Sequence, residues 1–299
     1  MKTNLSSQIS LHRVSPRYYR PENAFEKSVL TRLEKIPTDI YESVEEGANY
    51  IAREIAQTIR EKQKAGRFCV LALPGGNSPS HVYQELIRMH KEEGLSFRNV
   101  IVFNMYEYYP LSSDAINSNF NALKEMLLDH IDIDKQNIFT PDGTIAKDTI
   151  FEYCRLYEQR IESFGGIDIA LLGIGRVGNI AFNEPGSSLS SRTRIKTLTT
   201  DTIIANSRFF DNDVNKVPKT ALTVGVGTVL SAKEVLIICN GHNKARALQH
   251  AVEGGITQMW TISALQMHQH GIIVCDEAAT DELKVGTYKY FKDIEKANL

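Results

Sequence analysis

No apolar run in this 299-residue chain approaches the ~18–20 residues that would cross a bilayer, so no membrane-spanning helix is expected. The opening stretch, MKTNLSSQISLHRVSPRYYRPENAF, has no apolar core and does not read as a secretory signal. Cysteine is scarce: Cys69, Cys154, Cys239 and Cys275 are far apart and form no CxxC pair, which argues against a disulfide framework. Three of them sit in apolar runs (FCVLAL, VLIICN, IIVCDE) and read as buried small hydrophobes. An excess of either charge is also missing, with 34 Lys and Arg against 36 Asp and Glu. The net charge of -2 excludes a global basic field for nucleic acid but not a local basic pocket. The cytoplasm is the default compartment.

Several catalytic signatures are missing as well. No GxSxG elbow marks a serine hydrolase. The glycine-rich loop Pro74-Gly75-Gly76-Asn77-Ser78-Pro79 lacks the GK[ST] ending of a nucleotide P-loop. Gly173-Ile174-Gly175-Arg176-Val177-Gly178 fits GxGxxG, but Pro185 and Gly186 soon interrupt any following helix, so no nicotinamide site is expected. His268 and His270 share a loop-like stretch without other clear ligands and read as solvated polar residues. Neither a metal nor a cofactor is expected.

What is present is alternation. Helical spacing over Tyr41–Lys64, Ser80–Lys91, Ser118–Ile131, Thr149–Phe164 and Asn243–Glu253 is interleaved with apolar strands. The strands are Phe68–Leu73, Val100–Asn104, Ile167–Leu172, Glu234–Cys239 and Gly271–Cys275. This pattern predicts an α/β fold: a single doubly wound, largely parallel sheet flanked by helices. Residues 1–40, interrupted by Pro16, Pro21 and Pro37, read as an N-terminal arm, and 41–299 as one domain. In such sheets ligands bind beyond the carboxyl ends of the strands. That singles out three loops: Pro74–Pro79, Met105–Pro110 and Gly173–Pro185. The small residues of the first suit an anion held by amides at a helix start.

Four long strings carry a family resemblance: SSLSSRTRIKTLTTDTIIANSRFF (Ser187–Phe210), ALTVGVGT (Ala221–Thr228), GHNKARA (Gly241–Ala247) and MWTISAL (Met259–Leu265). From about Tyr41 onward the chain resembles glucosamine-6-phosphate deaminase, whose members convert glucosamine 6-phosphate to fructose 6-phosphate and ammonia without a cofactor. The resemblance implies a Rossmann-like deaminase/isomerase fold. It also implies a base in an NMDEY motif that takes the C2 proton. A histidine in a G-x-DGHIAFNEP loop assists ring opening, oriented by the nearby Asp and Glu. This chain reads Asn104-Met105-Tyr106-Glu107-Tyr108, which puts Tyr106 at the base position. In the second motif Val177 replaces the Asp and Asn179 the His, and Glu184 remains. Tyrosine, with a pKa of ~10, is a poor proton acceptor at neutral pH, and a carboxamide does not exchange protons as imidazole does. Glu107 is the candidate substitute base, although neighbouring side chains generally point in different directions.

The binding groups implied by the resemblance are better kept. Gly75, Gly76, Asn77 and Ser78 match the phosphate-side loop, with Asn77 bulkier than the small residue usual there. Arg208 and Lys244 match positions that contact the substrate phosphate, where fixed cations suit a dianion. Ser187, Ser188, Arg194 and Lys196 match an allosteric phosphate site that takes N-acetylglucosamine 6-phosphate in hexameric bacterial members. The partners implied are a hexosamine 6-phosphate and further copies of the chain, as a trimer or hexamer.

Every substituted catalytic position precedes Ile180, whereas the sequence from about Ala181 onward matches an active deaminase. The front half resembles a degenerate deaminase-like domain found attached to deacetylase-type domains. Two readings stay open: paralogous halves joined near the IAFNEPGSS segment, or one lineage whose front half drifted. Three functions follow: an impaired sugar-phosphate binder, an active deaminase with an unrecognised base, or a subunit that assembles with active deaminases. A lactonase is less consistent with SRTRIKTL and MWTISAL.

Overall fold

Short apolar runs become strands, and the spaced segments between them become helices that cover both faces. In the computed structural model, residues 22–30 and 34–298 are described; most of the expected arm lies outside them. The chain runs α1 (Ala24–Leu30), β1 (Thr38–Tyr41), α2 (Val44–Lys64), β2 (Cys69–Leu73), α3 (Ser80–Glu93), β3 (Val100–Asn104), β4 (Tyr106–Tyr109) and α4 (Asn119–Met126). It continues through β5 (Ile138–Phe139), α5 (Ile150–Ser163), β6 (Ile169–Gly173), β7 (Arg194–Thr197), α6 (Thr200–Asn206) and β8 (Thr220–Thr223). Last come α7 (Val226–Leu230), β9 (Glu234–Cys239), α8 (Ala245–Val252), β10 (Gly271–Asp276) and α9 (Val285–Asn298).

Seven strands pair in the order β1-β10-β9-β6-β2-β3-β5, every pair parallel. Alternation along each strand divides the core in two. In β2, Val70 and Ala72 face a layer containing Tyr157 and Ile161 of α5 and Leu248 of α8. Leu71 and Leu73 face the other layer, with Ile51, Ile55 and Ile59 of α2 and Leu86 of α3. The start of α2 follows from Ser43-Val44-Glu45-Glu46: the Ser43 hydroxyl accepts from the Glu46 amide at 3.2 Å, and two glutamates favour the helix N-terminus. Its three isoleucines recur every fourth residue, so all fall on the sheet-facing side.

Two expectations need correction. Part of the segment read as an arm belongs to the sheet: β1 pairs with β10 from Thr38↔Ile273 to Tyr41↔Asp276, and Ile36 and Ile40 enter the core. Ala24 of α1 is buried as well, and its amide donates to Glu54 Oε2 at 2.7 Å. Pro37 between two isoleucines hid a strand of only four residues. Met105–Pro110 is likewise mostly strand. β4, β8 and β7 form a separate antiparallel sheet, with Tyr106 opposite Thr223 and Arg194 opposite Thr223 on its other side.

Asp168, just before β6, ties the far end of the sheet together. Its carboxylate accepts from Lys62 Nζ at 2.6 Å, Lys233 Nζ at 2.6 Å and the Val70 amide at 2.9 Å. Burial pushes its pKa up, but these donors outweigh burial and hold it below the usual carboxylate value. A depressed pKa contributes stability above the unfolded carboxylate pKa of ~3.9, lost as pH falls through the lower folded value. Asp168→Asn is therefore expected to cost ~2–3 kcal/mol at pH 7. In chemical denaturation the gap from the parent should close as pH drops below ~3.9; an unchanged gap would contradict this role.

Candidate functional site

Where the strand order reverses, between β2 and β6, the loops leaving their carboxyl ends separate and open a crevice. A cleft lies there, bordered by Pro74–Pro79 after β2, Gly173–Gly175 and Asn179 after β6, and Lys244 in the turn after β9. Met105, Tyr106 and Tyr108 contribute from β4 and its approach, and Asn206, Arg208 and Phe209 from the end of α6. All three loops singled out by strand position thus meet, and the two cations distant in sequence join them.

Close backbone approach fixes the first loop. A Cβ on Gly75 would lie 2.1 Å from the carbonyl oxygen of Asn119, so no side chain fits there without moving α4. The Tyr83 hydroxyl donates to the Pro74 carbonyl at 2.7 Å and holds the loop to α3. The second loop closes on itself: the Gly175 amide donates to the Asn179 carbonyl at 2.9 Å and the Gly178 amide to the Gly175 carbonyl at 3.0 Å. Gly178 has φ +68 and a Cβ there would meet Trp260 at 2.3 Å, so both conformation and space require glycine. Asn183, which sequence reasoning passed over, pins the segment by donating to Ile180 O at 3.0 Å and Val224 O at 2.9 Å.

Electrostatically the cleft is cationic. Lys244 Nζ donates to the Ile174 carbonyl at 2.6 Å. Burial lowers its pKa, and the charges of Arg208 and Arg176 push in the same direction. Arg208 lies over the Phe209 ring at 4.7 Å. Neither Arg208 nor Arg176 has a carboxylate partner among the described residues. Cations held near one another without counter-charges are suited to an anion. Arg176 was not singled out from the sequence because a lone arginine in a loop usually reads as solvated charge.

The proton-transfer positions look different. The Tyr106 hydroxyl donates to the Gly75 carbonyl at 2.6 Å. Burial, with a smaller contribution from Glu107, pushes its pKa further above the ordinary value of 10.0. Asn179 is buried, and its Nδ2 donates to the Ala181 carbonyl at 2.8 Å. Val177 does not border the cleft.

Glu107 also lies elsewhere, which corrects its reading as a substitute base. Strand alternation sends it away from Tyr106 to the start of α4. It is fully buried there, accepting from the amides of Tyr108, Asn119 and Phe120 at 2.9 Å each. Burial nevertheless leaves its pKa raised, the amides only partly offsetting it. Glu107→Ala is expected to cost ~2–4 kcal/mol by stranding buried amides, while ligand affinity of the folded protein stays within ~3-fold. Thermal melts with and without ligand check this; a stable variant that loses the ligand would return Glu107 to the site.

Glu184 is buried outside the cleft lining, with Oε2 accepting from Thr199 Oγ1 at 3.1 Å and Oε1 unpartnered. Burial raises its pKa against hydrogen bonds from Thr202 and Thr199 and the charge of Lys196. The four effector-type residues sit near this loop, not in the cleft. Arg194 Nη1 donates to Asn183 Oδ1 at 2.9 Å, Ser187 is buried with an unpartnered hydroxyl, Ser188 pairs with Ser190 at 3.0 Å, and Lys196 lies on β7. His268, expected to be solvated, is partly buried, with Nε2 against the Ala232 carbonyl at 2.8 Å. All four cysteines are buried. No helix among the described residues is long and apolar enough to cross a membrane.

Fold and cleft together define an α/β protein with a cationic cleft at the switch point of a parallel sheet. A family model described as glucosamine-6-phosphate isomerases/6-phosphogluconolactonase matches residues 42–274, and the chain belongs to that family. A protein of Bacteroides thetaiotaomicron named glucosamine-6-phosphate deaminase-like is 75% identical over 283 residues, 95% of this chain. This chain spans only 42% of that relative's length. A glucosamine-6-phosphate deaminase of Phocaeicola vulgatus is 68% identical over 252 residues, 84% of this chain and 94% of the relative. Among solved structures, one described as a monomeric glucosamine-6-phosphate deaminase superposes with a TM-score of 0.78 at 40% identity, covering 82% of this chain and 98% of that one. The 6-phosphogluconolactonase of Trypanosoma brucei shares the fold at TM-score 0.66 and 18% identity, covering 83% and 99%.

Proposed function

We propose that the chain binds a hexosamine 6-phosphate or a closely related sugar phosphate and has lost most of the proton-transfer capacity of a deaminase. The observation that carries this reading is the contrast within one cleft. Arg208 and Lys244 stay poised for phosphate, whereas the hydroxyl of Tyr106 and the carboxamide of Asn179 are spent on the carbonyls of Gly75 and Ala181. A well-placed acid or base contributes ~10²–10⁴-fold to rate, and two such roles lack a titrating group near neutral pH. The deaminase-like name of the 75% identical relative is in keeping with this reading.

The test is ammonia and fructose 6-phosphate release from glucosamine 6-phosphate, beside the Phocaeicola vulgatus relative. Turnover at least ~10²-fold below that relative is expected; turnover within ~10-fold of it would contradict the proposal. The second reading is an active deaminase, favoured by 68% identity to a protein of that name. With Glu107 held at α4, it would need Tyr106 as base. N-acetylglucosamine 6-phosphate as effector through Ser187, Ser188, Arg194 and Lys196, and a trimer or hexamer, are further parts of the proposal. Because a solved relative is described as a monomer, light scattering on the 33.6 kDa chain tests assembly directly.

A further inference from the structure

We infer that the cleft selects hexose 6-phosphates whose C2 substituent is uncharged, an acylamino group or a carbonyl oxygen, over the free amino sugar. This rests on the sugar-phosphate reading above and concerns the end of the ligand remote from the phosphate. Among the described residues bordering the cleft, the charged side chains are Arg208 and Lys244, and none is Asp or Glu. The two carboxylates closest in sequence face other groups: Glu107 the amides of α4, and Glu184 the hydroxyl of Thr199.

Backbone acceptors around the cleft are partly occupied as well. Three carbonyls around the cleft already hold donors: Gly75 from Tyr106 at 2.6 Å, Ile174 from Lys244 at 2.6 Å and Ala181 from Asn179 at 2.8 Å. Aromatic faces that would attract a cation are partly engaged as well. Arg208 covers Phe209 at 4.7 Å, and Phe182 meets Tyr106 at 4.8 Å and Tyr108 at 5.4 Å. The C2 amine of glucosamine 6-phosphate is an ammonium at neutral pH. It brings three donors into a cleft already rich in donors and positive charge. An acyl or keto oxygen is an acceptor, which the carboxamide of Asn77 and the hydroxyl of Ser78 along the wall suit. At the family's base position, the change from carboxylate to Tyr106 therefore removes the group that would balance the amine as well as the base.

Titration calorimetry of the whole chain at pH 7 tests this, with glucosamine 6-phosphate, N-acetylglucosamine 6-phosphate and fructose 6-phosphate as probes. Glucosamine 6-phosphate is expected to bind at least ~10-fold more weakly than the tighter of the other two. Tyr106→Asp should shift that ratio ~10-fold or more toward the amino sugar, whereas uncharged Tyr106→Phe leaves it within ~3-fold. Equal or tighter binding of glucosamine 6-phosphate overturns the inference while leaving sugar-phosphate binding intact. So does an unmoved ratio in a folded Tyr106→Asp protein. Heat from none of the three ligands would remove the binding reading itself, and the inference with it.

Discussion

Tyr106→Asp, Val177→Asp and Asn179→His, combined, are expected to raise ammonia release from glucosamine 6-phosphate by at least ~10²–10⁴-fold over the parent. The single changes should recover little, because residues that act as one unit are strongly non-additive. Tyr106→Asp restores a carboxylate at the base position and frees the Gly75 carbonyl, now held by the tyrosine hydroxyl at 2.6 Å. Burial would raise the new carboxyl's pKa and the charge of Lys244 would lower it, the balance a base near pH 7 requires. Asn179→His supplies a titrating ring. It must fit where the carboxamide now packs against Gly175, whose hypothetical Cβ would lie 1.7 Å from Asn179 Oδ1. Val177→Asp is included to orient that ring, as the family resemblance implies. Steady-state assays of the parent, the three single variants and the triple variant decide the matter. A triple variant that folds and binds ligand yet remains silent would show that more than proton-transfer groups has been lost.

The second large effect concerns binding. Arg208→Ala and Lys244→Ala are each expected to weaken sugar-phosphate affinity by ~10–100-fold, the range for loss of a charge-assisted hydrogen bond. The double variant should show no saturable binding by calorimetry. Lys244→Arg is not expected to restore the contact, because the lysine reaches the Ile174 carbonyl at 2.6 Å from a partly buried position that a planar guanidinium fits poorly. Binding by the double variant within ~3-fold of the parent would place the phosphate elsewhere.

Much of this was legible in the sequence. The continuous apolar runs Val100–Asn104 and Glu234–Cys239 become strands with those bounds, because burial on both faces leaves little room for another conformation. The ends of such strands identified the cleft loops. The antiparallel sheet of β4, β7 and β8 was not legible. Its runs YEYY, RIKT and TALT are four residues each and mix polar with apolar, so only pairing with one another defines them. Glu107 illustrates the cost of that omission. Once Tyr106–Tyr109 is a strand, alternation alone turns Glu107 away from the cleft. Arg176 and the placement of Glu184 behind the loop depend on tertiary contacts that local pattern does not encode.

The unevenness between the two halves also has a physical reading. The 75% identical relative matches 283 of the 299 residues, so its aligned span crosses Ile180–Ser188. The cleft draws on both halves, since Arg208 and Lys244 from the back half meet the Gly75–Ser78 loop of the front half in one site.

The most direct measurement is solvent exchange of the carbon-bound proton. Deamination requires transfer between C2 and C1, so fructose 6-phosphate incubated with the protein in D₂O reports that step by NMR without any need for ammonia release. With Tyr106 at the base position, no exchange above the buffer rate is expected at ligand concentrations that saturate the cleft. Deuterium incorporation at C1 that depends on the protein, and is lost in Tyr106→Phe, would contradict the central claim and make Tyr106 a working base.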